Sequence, residues 1–142
     1  LWIAGKIAPQ VLSQYLNEKD VLIEEVDDNR EAYQKAWILV APIKSGGGSR
    51  TKFFEAMASG LPIVTTTHGI EGIAAENNKE VIIRDNPNKL ASEAIKLLRS
   101  KKLRESIGSS AQELVKEKYT WQSSAKQLDH LYEEATSANK ED

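Results

Sequence analysis

The stretch Ala41-Pro42-Ile43-Lys44-Ser45-Gly46-Gly47-Gly48-Ser49-Arg50-Thr51-Lys52-Phe53-Phe54-Glu55-Ala56-Met57-Ala58-Ser59-Gly60-Leu61-Pro62 decides the fold. The apolar run that enters it reads as a strand, the consecutive glycines as a loop, and the segment from about Arg50 to Ser59 as a helix. Phe54, Met57 and Ala58 recur at helical spacing and form an apolar stripe; Gly60 is placed to end the helix with a left-handed cap, and Pro62 opens the next strand. Strand, glycine loop, helix and strand in succession describe a parallel sheet crossed by helices.

The same alternation extends in both directions. Candidate strands run from Leu1 to Ala4, Val21 to Glu24, Trp37 to Ala41, Pro62 to Thr66 and Glu80 to Ile83. Strands of a parallel sheet are covered on both faces and read as unbroken apolar runs, so Trp37-Ile38-Leu39-Val40-Ala41 is expected at the centre. Asp28 is placed to cap a helix reaching Lys35, with Glu31 positioned for the reciprocal capping-box bond, and Asn86 followed by Pro87 marks another helix start. Leu90, Ala94, Leu97 and Leu98, then Leu103, Ile107, Ala111 and Leu114, then Trp121, Ala125, Leu128 and Tyr132 recur at helical spacing. Three helices therefore close the chain, the last capped near Thr120, and the polar tail 137–142 is expected to fray. The expected class is α/β: a Rossmann-like parallel sheet flanked by helices in three layers, one domain over residues 1–142.

Composition narrows the function. With 142 residues, 40% hydrophobic and 28% charged, the chain has the material for one globular core. Lys and Arg number 19 against 21 Asp and Glu, a formal charge of −2, so any anion site must be local rather than a property of the whole surface. There is no cysteine, which excludes disulfides, thiolate metal sites and cysteine nucleophiles, and His68 and His130 are the sole imidazoles. No metal site is expected. No apolar run approaches the ~20 residues of a membrane-spanning helix, and no leader pattern opens the chain, so a cytoplasmic setting is expected. The chain begins in a strand-like run at Leu1 without methionine, from which an upstream part is expected.

Glycines in series admit positive φ and strip away side-chain bulk, so a ligand can reach backbone N–H groups directly. The helix that follows adds unpaired N–H donors and a partial positive charge, an environment suited to a diphosphate. In open parallel sheets, ligands bind beyond the carboxyl ends of the strands, where this loop lies. Thr51 and Glu55 are four residues apart and share a helix face; Thr51 can offer its N–H and hydroxyl to phosphate, and Glu55 can accept from the vicinal hydroxyls of a ribose. Arg50 and Lys52 can neutralise phosphate charge. The competing interpretation is that the glycines merely turn the chain and that Glu55, Arg50 and Lys52 are solvated surface charges. The loop matches neither a Walker motif nor Gly-x-Gly-x-x-Gly.

The run from Lys52 to Val64 resembles the Glu-Ala-Met-Ala-x-Gly-x-Pro-Val-Val signature of the group 1 glycosyltransferases, which have the GT-B fold. The resemblance extends over most of the chain: Leu1 to Gly5 is similar to a strand ending in glycine, Val21 to Val26 to the next strand, and Ala36 to Pro42 to the strand entering the donor loop. Thr65 to Glu71 resembles the following glycine-containing loop, and Tyr119-Thr120-Trp121 the aromatic pair before the final helix. This resemblance implies the C-terminal half of a GT-B enzyme, holding a nucleotide-diphosphate sugar, with Glu55 as the second glutamate of the family's Glu-x7-Glu motif and in contact with ribose. The first glutamate is replaced by Gly47, as in a subgroup with a Gly-Ser-Arg-Thr-Lys loop. Gly48, Ser49, Arg50 and Thr51 match the stretch whose backbone lines the sugar and phosphates, and Gly47 beside them completes the donor-binding candidates. The family's first strand, with its basic diphosphate-binding loop, and the acceptor-binding N-terminal domain are expected upstream of Leu1, which would leave this chain without activity alone. Transfer of a hexosyl group with retention, without metal or cofactor, is implied by the resemblance only.

Two other classes compete: a nucleotide-sugar epimerase of similar fold, and a non-catalytic Rossmann-like interaction module. His68, Gly69 and Glu71 form a second set of donor-loop candidates, with a surface-turn histidine and a helix-start charge as their plainer readings. His130 is expected on a solvated helix face. Trp2, Trp37 and Trp121 are expected in the core or at a domain contact.

Overall fold

Each of the expected strands forms, somewhat shorter than its apolar run: β1 Trp2–Ala4, β2 Leu22–Glu24, β3 Leu39–Ala41, β4 Ile63–Thr65 and β5 Ile82–Ile83. The computed structural model describes residues 1–4, 19–48 and 50–138, with the side chains of 137 and 138 excepted. Ser49, Gly5 and the end of the expected tail lie outside the described residues. Helices α1 Asn29–Lys35, α2 Thr51–Ala58, α3 Thr67–Ile70, α4 Pro87–Arg99, α5 Lys101–Lys118 and α6 Trp121–Ala138 complete the elements. All described strand pairs are parallel. The chain divides into two compact units, Leu1–Ala36 and Trp37–Asp142.

In the first unit β1 pairs with β2, Ile3 opposite Ile23. Helix α1 starts as the sequence implies: the Asp28 carboxylate accepts from the backbone N–H of Arg30 at 2.9 Å. The Arg30 guanidinium bonds the same carboxylate, and this pairing holds the Asp28 carboxyl below its ordinary value. Glu31 pairs with Lys35 one turn on, instead of returning to the cap.

In the second unit the strand order is β3-β4-β5, so β4 and not β3 takes the middle of this sheet. Side chains alternate across a strand, and Ile63, Val64 and Thr65 are all fully buried, so both faces of β4 are covered. Val64 joins Ile82, Leu90, Leu97 and Ile107 in a core that places α4 and α5 against the sheet. Trp37, expected within β3, is instead 62% exposed, and the strand begins only at Leu39.

Helix α2 is anchored by Phe53, Ala56 and Met57, all fully buried. Only Met57 of the expected stripe is among them; Phe54 is half-buried and Ala58 exposed. The helix ends in a Schellman turn, with Gly60 N–H donating to Met57 O and Leu61 N–H to Ala56 O, each at 2.9 Å, and Gly60 at φ 71°. Gly108 of α5 abuts this turn so closely that a Cβ there would fall 2.1 Å from the Gly60 carbonyl oxygen. Asn86 caps α4, its side chain accepting from Asn88 N–H and Lys89 N–H. Ser100 caps α5, and the Thr120 hydroxyl accepts from Ser123 N–H at the start of α6. Leu98 of the α4 series lies half in solvent, and the α6 series is outward, with Trp121 90% exposed, so neither Trp37 nor Trp121 is a core residue.

Candidate functional site

Parallel strands β3 and β4 deliver their following loops to the same sheet edge, and side chains stitch those loops together. Buried Thr65 donates its hydroxyl to the Ala41 carbonyl at 2.7 Å, and the Thr66 hydroxyl donates to the Ile43 carbonyl. Further out, the Arg50 guanidinium donates to the His68 carbonyl at 2.9 Å, and His68 Nε2 meets the Gly46 carbonyl at 3.1 Å. Thr66 also caps α3, accepting from Gly69 N–H at 3.0 Å. The two loops are therefore tied together below Gly47 and Gly48, which themselves stay open.

Between the stitched loops lies an open concavity of about 440 Å³. Arg50, His68 and Glu71 give its lining polar groups, Phe54 and Ile73 an apolar wall, and Gly46, Gly47, Gly48 and Gly72 backbone. That volume falls within the ~300–1,000 Å³ of ordinary small-molecule sites. A smaller hollow of about 260 Å³, with Ile43, Ser45, Lys52 and Phe53 in its wall, adjoins it across Gly46, Gly48 and Arg50. Gly46 sits at φ 116°, a conformation that favours glycine. A Cβ at Gly47 or Gly48 would meet nothing within 4 Å, so their backbone borders free space. The loop leads through Arg50 to the N-terminus of α2, which no side chain of its cap residue satisfies.

The imidazole of His68 lies between two acceptors, with Glu71 Oε2 at 3.2 Å from Nδ1 and the Gly46 carbonyl at Nε2. A neutral ring can donate to only one of them. Beside it Asp85 accepts from the backbone N–H and hydroxyl of Thr67, both at 2.8 Å. The backbone N–H bond, followed by the hydroxyl, holds the Asp85 carboxyl below its ordinary value.

The structure thus brings together Gly47, Gly48, Arg50, His68 and Glu71 of the residues singled out from the sequence. Gly69 is near them but buried, with its Cα packed so that a Cβ would fall 2.1 Å from Thr65 Oγ1; it serves the turn. Thr51 and Glu55 are exposed on α2 and line neither hollow. Ser49 lies outside the described residues. His130 is exposed beside Glu134, far along α6. Among the described residues no group of three His, Asp or Glu is arranged to hold a metal ion, and no helix is long and apolar enough to cross a membrane.

Sequence reasoning missed Phe54, Gly72 and Ile73 as wall residues. Phe54 packs against Tyr119, ring centroids 4.8 Å apart and tilted by 48°, while the Tyr119 hydroxyl accepts from Ala74 N–H at 2.7 Å. The aromatic ring that precedes α6 thus supports the apolar wall from behind. The signal for Gly72 was its residue type after Glu71; its φ of 83° confirms a turn that needs glycine.

Comparison with known proteins agrees with this architecture. The chain is 28% identical over 90 residues to an uncharacterised glycosyltransferase of Methanocaldococcus jannaschii, a match that covers 62% of this chain and 23% of that relative. Among solved structures, a point mutant of S. aureus TarM in complex with fondaparinux, alpha-GlcNAc-glycerol and UDP superposes with a TM-score of 0.70 at 22% identity, covering 92% of this chain and 28% of TarM. The C-terminal domain of the group 1 glycosyltransferase LpcC from Francisella tularensis gives a TM-score of 0.63 at 21% identity, covering 79% of this chain and 60% of that one. The chain therefore spans about a quarter of the length of the curated relative and of TarM. The family model described as "Glycosyl transferases group 1" matches residues 1–100, and with more than half of its length so matched, the chain belongs to the group 1 glycosyltransferases.

Proposed function

We propose that the concavity beside Gly46 to Gly48 holds the diphosphate of a nucleotide-diphosphate sugar, as the donor half of a transferase whose acceptor is held elsewhere in a longer protein. One observation carries this reading: the loops after β3 and β4 are tied to each other, yet the backbone of Gly47 and Gly48 borders open space at the start of α2. A preorganised set of N–H donors at a helix N-terminus stabilises the charge that develops on a leaving diphosphate without reorganising. Arg50 adds a fixed positive charge in the wall, and the Phe54 and Ile73 side offers apolar surface to a nucleoside. Glu55, which stands outside both hollows, serves the ribose if the nucleoside passes along the exposed face of α2. With Gly47 at the first-glutamate position of the Glu-x7-Glu motif that the chain resembles, the contact to the donor sugar falls to the backbone of that loop. Hexosyl transfer with retention, independent of metal and of any resident cofactor, belongs to the same proposal.

Calorimetry with UDP, GDP and their hexose conjugates tests it, UDP first because the TarM structure contains it. Wild-type chain is expected to bind at least one of them. Gly48→Leu fills the concavity and is expected to abolish binding, and Glu55→Ala to weaken it about tenfold, the scale of a lost hydrogen bond to a charged group. Equal affinity in all three proteins rejects the site.

A further inference from the structure

The charge of this chain is nearly balanced, but it is not evenly spread. Between Ile95 and Arg104 the sequence holds Lys96, Arg99, Lys101, Lys102 and Arg104 and no acidic residue. The structure gathers them where α4 ends and α5 begins. Arg99, Lys101 and Lys102 are exposed there. Among the described residues, the acidic groups paired with these cations are Glu93, 3.4 Å from Lys96 and also bound to Arg84, and Glu105, 3.6 Å from Lys101.

Apolar side chains are exposed among these cations. Ile95 and Leu98, three residues apart on the outer face of α4, are 48% and 45% exposed, and Trp37 is 62% exposed. Arg104 joins the pieces: its guanidinium lies 4.6 Å from the centre of the Trp37 ring and donates to the carbonyls of Leu97 and Leu98. Arg104 thereby closes the C-terminal end of α4 and lies against the indole with the same guanidinium. Trp37 precedes β3, whereas the glycine loop follows it, so this surface lies at the opposite end of the strands from the concavity.

We propose that the α4–α5 junction is a docking surface for an anionic lipid bilayer. Basic side chains around exposed aliphatic groups, with a tryptophan at the rim, match a surface that offers anionic headgroups above an acyl interior. A nucleic acid fits less well: Ile95 and Leu98 gain nothing from a phosphate backbone, and Arg104 already occupies one face of the indole that would stack on a base. Docking at this end leaves the glycine-loop concavity facing away from the bilayer.

Sedimentation of the 142-residue chain with vesicles tests the proposal. Vesicles of phosphatidylcholine with phosphatidylglycerol are expected to carry the protein down, phosphatidylcholine alone to leave it in solution, and raised salt to release it. Lys101→Gln with Lys102→Gln, on exposed positions that leave the fold intact, is expected to lower partitioning about 25-fold. Leu98→Ser is expected to lower it about fivefold. In a Trp2→Phe, Trp121→Phe background, the emission of Trp37 shifts to the blue on vesicle addition. The proposal is overturned if anionic vesicles leave the wild-type chain in the supernatant, if the double glutamine variant sediments as wild type does, or if a mixed-sequence RNA binds through these lysines while vesicles do not.

Discussion

The two ends of α2 use glycine in opposite ways. At its C-terminal end Gly60 takes a left-handed conformation that only a residue without a Cβ adopts cheaply, and Gly108 lets α5 approach to the point where a methyl group would collide with backbone. At its N-terminal end Gly47 and Gly48 touch nothing where a side chain would be. One residue type thus makes a sealed joint at one end and an exposed backbone at the other. A left-handed φ accounts for Gly60 and close packing for Gly108, whereas neither accounts for Gly47 and Gly48, so the open end is where a ligand is expected.

The sharpest test of that contrast is Gly108→Ala. The obstructing atom is a backbone oxygen and cannot swing aside, so a loss of about 2–3 kcal/mol in urea denaturation is expected; an unchanged midpoint would show that α5 does not sit on the α2 turn. Gly60→Ala should cost about 1 kcal/mol, the strain of a left-handed alanine, by the same measurement. Asp85 supplies a smaller and pH-dependent effect at the open end. Its carboxyl is held below the ordinary value of 3.8 by the Thr67 N–H and hydroxyl, so its contribution is present above that pH and is lost as pH falls through the lower folded value. Asp85→Asn should therefore be less stable than wild type at neutral pH, and the gap should close in acid; a gap that widens in acid would break the assignment. Smallest of all, Gly47→Ala should shift stability by less than about 0.5 kcal/mol. A large loss there would mean that the loop is packed and the two ends are alike.

How much of this was legible in the residues depends on the range of the interaction involved. Each strand is legible because a covered strand needs an apolar run, and the expected start of β3 is too early because Trp37 is apolar yet exposed. Caps at Asp28, Asn86 and Thr120 are bonds over two or three residues, and they form. The stripe on α2 was misplaced by one residue for a definite reason. Phe53, Ala56 and Met57 have the same spacing as Phe54, Met57 and Ala58, so periodicity cannot choose between them. Burial in the second unit selects the first set and turns Phe54 toward Tyr119 and the concavity.

By itself the sequence determined the alternation of strands and helices, the glycine loop before α2 and the turn at Gly60, because each follows from the conformational limits of nearby residues. Tertiary structure decided that β4 takes the middle of its sheet, that Thr65, Thr66, Arg50 and His68 tie together loops 18 to 24 residues apart, and that an open hollow remains beside Gly47 and Gly48. Those are choices among partners distant in the chain, and local spacing carries no information about which distant group will arrive within hydrogen-bonding reach.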